Sequence, residues 1–528
     1  MAGRRLRVSI RMRAPGSRTT ICVLLLGIAM LLTLAASAAS AAVFIVNSTN
    51  DAPDASPGDG RCAMAAGHRH CTLRAAVMEA NALAALGTST ANVIVLPAAT
   101  YTLTVAGRGE DNAATGDLDV NGGALVVVGA HAVIDGNQVD RIFDLGPLTP
   151  VQFTLRNVTI QNGNVESTPP NLASGGPDVG AAIRILKDSG LKVTHSTFRH
   201  NRAGARGGAI GMPPTAATVA GANPAIITEL RDVLIELNSA GVEGGGLFNN
   251  RVAILHRVIV RDNRVTGLVG NERGAGIAQS GDLTLTESIV SGNSMSAGNV
   301  GGIANRGDPA ALPTPIFGTI RLTNVTVSNN SAPQGGGIGN GTGATAIITN
   351  TTISGNRATV TAGGLVNGGT ATLTNVTFSG NSAPLGGGIV TAGPPLGAPN
   401  ASTTLRNTIL SRGHVGSNCL LPFPGAPPPI SFARAPISGG DNISSDTSCN
   451  LAGPGDRNGI NPLLGPLADN GGFTPTHALL HGSPAIDAVF NNPCPPPATD
   501  QRGVPRPQDG DGVHGALCDI GAYEVWRG

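Results

Sequence analysis

The sequence predicts an all-β protein: a right-handed parallel β-helix, in which short strands wrap into coils that stack along one axis. Three observations predict it. A phrase of the form Leu-x-Asn-Val-Thr-Phe-Ser-Gly-Asn-Ser-Ala, followed by a glycine cluster, recurs along the chain, most clearly at 322–341, 348–369 and 373–393. The second asparagine of each copy falls at Asn201, Asn238, Asn263, Asn293, Asn330, Asn356 and Asn381, in steps of 37, 25, 30, 37, 26 and 25 residues. A base period near 25 with insertions is the pattern of a solenoid whose loops vary on an outer rim. Finally, the 75 glycines of the 528 residues avoid the every-third-residue pattern of collagen and gather into Asn-Gly and Gly-Gly-Gly turns between β-branched runs.

Residues 1–41 read as an export leader. Six arginines precede Ala41, an apolar run spans 21–34, and small residues follow at 36–41, so cleavage is expected after Ala38 or Ala41. No later stretch reaches membrane-span length without glycine, proline or charge, and no stable membrane insertion is expected after cleavage. The full chain holds 34 basic and 33 acidic residues, and loss of the leader leaves 28 against 33. That mixed, weakly acidic balance argues against a nucleic-acid partner.

Residues 42–150 form an N-terminal cap and atypical first coils. The β-branched runs near 42–51, 92–104 and 123–138 lack the full phrase. Between them, Leu73, Val77, Ala80 and Ala84 recur at helical spacing after Thr72, which can cap the start. A short amphipathic helix there would cover the unpaired edge that an open stack presents.

Residues 151–412 carry the repeats. Within each copy the side-chain phase changes: Leu373 sets one inward phase, while Val376 and Phe378 hold a second, offset by one residue. Strict alternation cannot pass such a step without a bend, which belongs at Asn375, since asparagine tolerates left-handed dihedrals. Further turns are expected at Asn381 and at glycines 386–388. Turn positions should stack as ladders. Six residues before each marker lie His195, Asp232, Arg257, Glu287, Asn324, Asn350 and Asn375. The last three predict an asparagine ladder, and Asp232, Arg257 and Glu287 predict compensating charges in its continuation. Val327, Ile353 and Phe378 should form one interior column, with Thr377 facing outward.

Residues 413–528, rich in proline and turns, are expected to cap the C-terminal end. Six cysteines follow the leader: Cys62, Cys71, Cys419, Cys449, Cys494 and Cys518. An even number in an exported chain suggests disulfides, and sequence proximity favours 62–71, 419–449 and 494–518.

The stretch Cys71-Thr72-Leu73-Arg74-Ala75-Ala76, running on to Glu79-Ala80-Asn81, resembles the CSLREA motif of exported bacterial repeat proteins, with threonine for its serine and Ala75 where its glutamate would stand. The coils resemble those of pectate-lyase-like β-helix proteins. The tail resembles the choice-of-anchor Q domain in Ser483-Pro484-Ala485-Ile486-Asp487-Ala488, Asp500-Gln501-Arg502-Gly503 and Cys518-Asp519-Ile520-Gly521-Ala522-Tyr523-Glu524. The resemblance covers nearly all of the mature chain and implies a fold and an extracellular compartment more than a reaction.

An enzyme of this fold would cut polysaccharide. Hydrolysis requires paired carboxylates facing one groove, and the densest acidic group near a predicted coil is Asp135, Asp140 and Asp144. Candidate acid, base and anion-binding side chains are His195, His200, Arg202, Asp232 and Glu236, which read equally as a polar rim. Asp509, Asp511 and Asp519 could hold calcium, although the EF-hand's closing glutamate is missing; no other cofactor is expected. Asp500 with Arg502 or Arg506 reads as a structural ion pair. The repeats offer few aromatic platforms for sugar: Phe198, Phe248, Phe317 and Phe378. The expectation is therefore a secreted structural or adhesive β-helix, not an enzyme, presenting rim loops to an extracellular glycan or surface protein. The alternative is a polysaccharide lyase or glycoside hydrolase.

Overall fold

The computed structural model describes residues 41–528 apart from 66–68, 89–90, 168–169, 172–175, 215–226, 268–272, 309–315, 393–400, 412, 414, 421–432, 490–493, 514 and 528. The leader expected at 1–41 therefore lies, but for its last residue, outside the described residues.

The chain builds an all-β right-handed parallel β-helix. Among the described residues, sheets of 19, 7 and 11 strands form, parallel but for the antiparallel pair Ile389–Ala392 and Ala433–Arg434 at the end of the third, and the repeats marked by Asn201 to Asn356 contribute to all three. In the largest sheet, strand Thr370–Ser379 pairs in register with Thr345–Ser354 before it and with Ser402–Arg406 and Ile409–Ser411 after it. The predicted bend is present: φ is +55° at Asn375, and the equivalent residues His195, Asp232, Arg257, Glu287, Asn324, Asn350 and Asn407 are also left-handed. Both inward phases hold, since Leu373, Val376 and Phe378 are buried, and Val327, Ile353 and Phe378 stand in one column.

The marker asparagines form the strongest polar spine. From Asn201 to Asn381 each side-chain Nδ2 donates to the Oδ1 of the next, at 2.9–3.0 Å. Each Oδ1 in turn accepts the backbone N–H of the preceding marker, for example Asn330 N to Asn356 Oδ1 at 3.0 Å. Polar groups buried in a dry turn are thus satisfied without water.

Helix α1 (Leu73–Ala85) covers the first coils, with the Thr72 hydroxyl accepting from Ala75 N at 3.0 Å. Leu73, Val77, Ala80 and Leu83 enter the core; Leu83 takes the place expected of Ala84. Arg74 is fully buried: it pairs with Asp51 at 2.6 Å and donates to the carbonyls of Ala113, Gly116 and Asp117. The cysteines pair 62–71, 419–449 and 494–518, as proximity favours.

Two expectations need correction. Coil strands do not stop at 412, because Ile443–Ser444 and Arg457–Asn458 continue the largest sheet. Cys419, Cys449 and Leu451 close the end of the core, while the later tail, from about 464 onward, lies across the side of the later coils. Gln501 donates to Thr326 Oγ1 at 2.9 Å and accepts from Thr352 Oγ1 at 2.7 Å, while Ala522 N donates to Thr377 Oγ1 at 2.9 Å. Thr377 does point out of its coil, yet it is buried beneath the tail.

The ladder at the bend is also corrected in part. Asn407 donates to Asn375 at 2.8 Å and Asn375 to Asn350 at 3.1 Å, but Asn324 Oδ1 has no partner among the described residues. Upstream, Arg257 meets Asp232 at 3.0 Å, whereas Glu287 turns to His256 at 3.9 Å instead of continuing the alternation.

Candidate functional site

The bend column changes character where the tail begins. Beneath the tail it holds Asn350, Asn375 and Asn407, all buried, with Thr326, Thr352 and Thr377 beside them. A charge there would lose its water without an adequate partner. In the coils that the tail leaves open, the same positions hold His195, Asp232, Arg257 and Glu287, and the threonine position keeps Thr197 in the first and becomes Leu234, Ile259 and Ile289 in the others. Arginine and glutamate tolerate a left-handed backbone less well than asparagine. Conformation alone does not favour them here.

Of these side chains, His195, Asp232, Arg257, Leu234 and Ile259 line an open groove of about 260 Å³. His195 Nε2 lies 3.6 Å from Asp232 Oδ2, and Arg257 Nε lies 3.0 Å from Asp232 Oδ1. Leu234 and Ile259 form an apolar floor, and Phe473 of the tail closes one side, with the Arg257 guanidinium 5.2 Å from its ring centre. The structure thus brings His195 and Asp232 together and adds Arg257 and Phe473. It does not bring in the other three candidates. His200 sits at the next bend, with φ +57°. Arg202 pairs with Glu166 at 3.6 Å, and Glu236 with Arg261 at 2.6 Å. Phe473 was missed because nothing in its local sequence shows that the tail folds back onto this face. Of the aromatics weighed from the repeats, Phe198 and Phe378 lie inside the coil, and Phe248 is buried in an outer cluster with Val179 and Ala278.

The acidic group read at 135–144 separates. Asp135 binds Gln161 and Asn162 at the end of its strand. Asp140 and Asp144 instead join Asp117 and Asp119. Strand Leu118–Val120 lies in register with Phe143–Leu145, and that strand with Ile183–Ile185, so Asp119, Asp144 and Arg184 stack in successive coils. Asp117, Asp119 and Asp144 each place a carboxylate oxygen within 4.8 Å of the others. Arg141 pairs with Asp117 at 2.8 Å and with Asp144 at 3.5 Å, and Arg184 also holds Asp144. Burial pushes the carboxyl of Asp119 up to about 9, with Asp117 adding like-charge repulsion. Burial likewise pushes Asp117 up to about 7, against the pull of Arg141.

In the tail, Asp509 and Asp511 gather with Asp487, not with Asp519. Their oxygens accept backbone N–H groups: Gly510 and Asp511 on Asp487, Gly512 on Asp509, Val513 on Asp511. These acidic clusters could coordinate a metal ion. Asp519 accepts from Asp487 N and Val525 N, and so ties two tail segments together. Asp500 takes Arg502 at 2.7 Å, and Arg506 goes to Glu524 at 3.1 Å. Burial raises Asp519 to about 8, with Glu524 adding repulsion, and raises Glu524 to about 7 despite Arg506. Both acids bind protons more tightly folded than unfolded. Their contribution to tail stability is full below their unfolded values near 4 and is lost as pH rises through about 7 to 8. Hydrogen exchange across 499–525, corrected for intrinsic rate, should therefore report easier opening at about pH 9 than at about pH 5. Equal protection at both would refute the shared burial of these acids.

The fold and groove define a parallel β-helix with a lateral cleft bounded by its own tail. Two solved structures are similar to it. One is a pectate lyase, at 14% identity and a TM-score of 0.42, covering 93% of this chain and 97% of that one. The other is the A-module of a mannuronan C-5 epimerase from Azotobacter vinelandii, at 13% identity and a TM-score of 0.38, covering 74% of this chain and 92% of that one. No protein-family profile and no curated protein matches the sequence. Both matched structures are enzymes, which runs against the expectation of a non-enzyme. The likeness itself concerns the fold alone. Among the described residues, no helix is long and apolar enough to cross a membrane.

Proposed function

We propose that this chain is an exported polysaccharide lyase, acting on a uronate-containing polymer in the groove between the open coils and Phe473. The observation that carries this reading is the exchange of buried asparagines for His195, Asp232 and Arg257 where the tail leaves the face open. In an elimination, a base removes the proton next to the uronate carboxylate. The electron pair forms a carbon–carbon double bond, the glycosidic bond breaks, and the departing oxygen takes up a proton. His195 is placed to act as base with Asp232 orienting its ring, and the Arg257 guanidinium suits the substrate carboxylate. Elimination fits better than hydrolysis, because Asp232 is the one carboxylate among the groove-lining residues and hydrolysis uses two. Leu234, Ile259 and Phe473 supply an apolar bed for a sugar face.

The rest of the reading follows the ends of the chain. The leader directs export, and N-terminal sequencing of the mature protein should begin near Ala39 or Ala42. The CSLREA-like and choice-of-anchor Q-like residues suit an exported repeat protein. Of those residues, Thr72 and Arg74 serve the cap, and Gln501 and Glu524 help seat the tail.

Purified mature chain is to be incubated with a panel of acidic and neutral polysaccharides and followed by the ultraviolet absorbance of unsaturated products. His195→Ala should lower the rate by about 10²–10⁴-fold. Saturated products would point to hydrolysis, and binding without any cleavage would return the chain to an adhesive role.

A further inference from the structure

We propose that Asp117, Asp119 and Asp144 hold a calcium ion that fastens the first coils of the helix, apart from the lateral groove. The three carboxylates converge within 4.8 Å. Asp119 is completely buried; its Oδ2 accepts from Ala113 N at 2.8 Å, but its Oδ1 meets no hydrogen-bond partner among the described residues. A buried carboxylate oxygen left without a donor is costly, and a cation among three such groups removes that cost.

The charge count points the same way. Asp117, Asp119, Asp140, Asp144 and Asp178 are all buried around this point. Facing them are Arg141, Arg184 and the half-exposed Arg108. The buried carboxylates thus outnumber the guanidinium groups that face them, an excess a divalent cation would reduce. Strand register stacks Asp119 directly on Asp144, and like charges in adjacent strands repel. An all-oxygen set selects a hard cation, and a buried site with irregular geometry suits calcium better than magnesium, which keeps several waters in octahedral array. The adjoining cavity of about 70 Å³, lined by Asp117, Asp140 and Asp144, has room for completing waters. The tail cluster at Asp487 lacks this second feature, since its carboxylates already accept backbone N–H groups.

The test is calcium titration of the chelator-treated mature chain by calorimetry, with hydrogen exchange measured in parallel. One calcium ion should bind, and exchange should slow at Leu118–Val120 and Phe143–Leu145. Asp119→Asn preserves shape and can keep the Ala113 bond through its amide oxygen, yet should weaken binding by about tenfold or more. Asp509→Asn should leave binding unchanged. The proposal is overturned if calcium gives neither heat nor protection. It is equally overturned if protection appears at 485–513 alone, or if Asp509→Asn abolishes binding while Asp119→Asn does not. Should Asp119→Asn fail to fold, the exchange footprint of the unsubstituted chain decides the matter.

Discussion

Phe378→Ala should destabilise the coils around 348–410 by about 3–5 kcal/mol, through lost transfer energy and a cavity that its rigid neighbours cannot fill. Phe378 is 1% exposed and stacks between Ile353 and Leu410 in successive coils. Its ring also reaches Gly364 on the opposite side of the coil, where even a Cβ would come within 2.9 Å of it. The two walls of the coil are thus matched in size, and backbone cannot collapse into the space without breaking ladders on both sides. Hydrogen exchange across 348–393 is the proper readout, because a solenoid opens in parts. Thr377→Ala provides the contrast. It removes no core volume but leaves Ala522 N–H buried without its acceptor, for about 1–3 kcal/mol. Its loss of protection should appear in the tail near Ala522 as well as in the coil. If Thr377→Ala opens the coil as widely as Phe378→Ala, the assignment of inward and outward phases is wrong.

Arg506→Ala should cost about 3–5 kcal/mol, as expected when one partner of a fully buried ion pair is removed. Arg506 and Glu524 are both wholly buried, 3.1 Å apart, and Arg506 also donates to the carbonyls of Asp519 and Gly521 at 2.7 Å. The truncated chain would keep Glu524 in a dry site with its positive neighbour gone, so Glu524 should take up a proton more readily. Those carbonyls belong to the segment whose Ala522 N–H bonds Thr377, so damage should spread to the tail–coil junction. The expected result is loss of exchange protection at 499–525 and at Thr326, Thr352 and Thr377, with the coils upstream of 290 unaffected. Protection kept throughout the tail would show that Gln501 and the Cys494–Cys518 disulfide seat it unaided.

The sequence by itself determined the coil. Period, phase change, bend and turns are all local in origin: strand alternation, the tolerance of asparagine for left-handed backbone and the clustering of glycine place each coil edge within about one repeat of sequence. Helix α1, its Thr72 cap and the three disulfides were legible for the same reason, since each joins residues near in the chain. What only the tertiary structure decided is which outward face meets water. Gln501 reaches Thr326 and Ala522 reaches Thr377 across 175 and 145 residues, distances over which no pattern in the repeats carries information. That contact turns Thr377 from a surface residue into a buried one, explains why asparagine replaces charge in the bend column, and brings Phe473 to the groove. Asp119 and Asp144 likewise belong to different coils and meet only through strand register. The alternation of a strand says inward or outward, but the burial of an outward residue depends on what the rest of the chain lays over it.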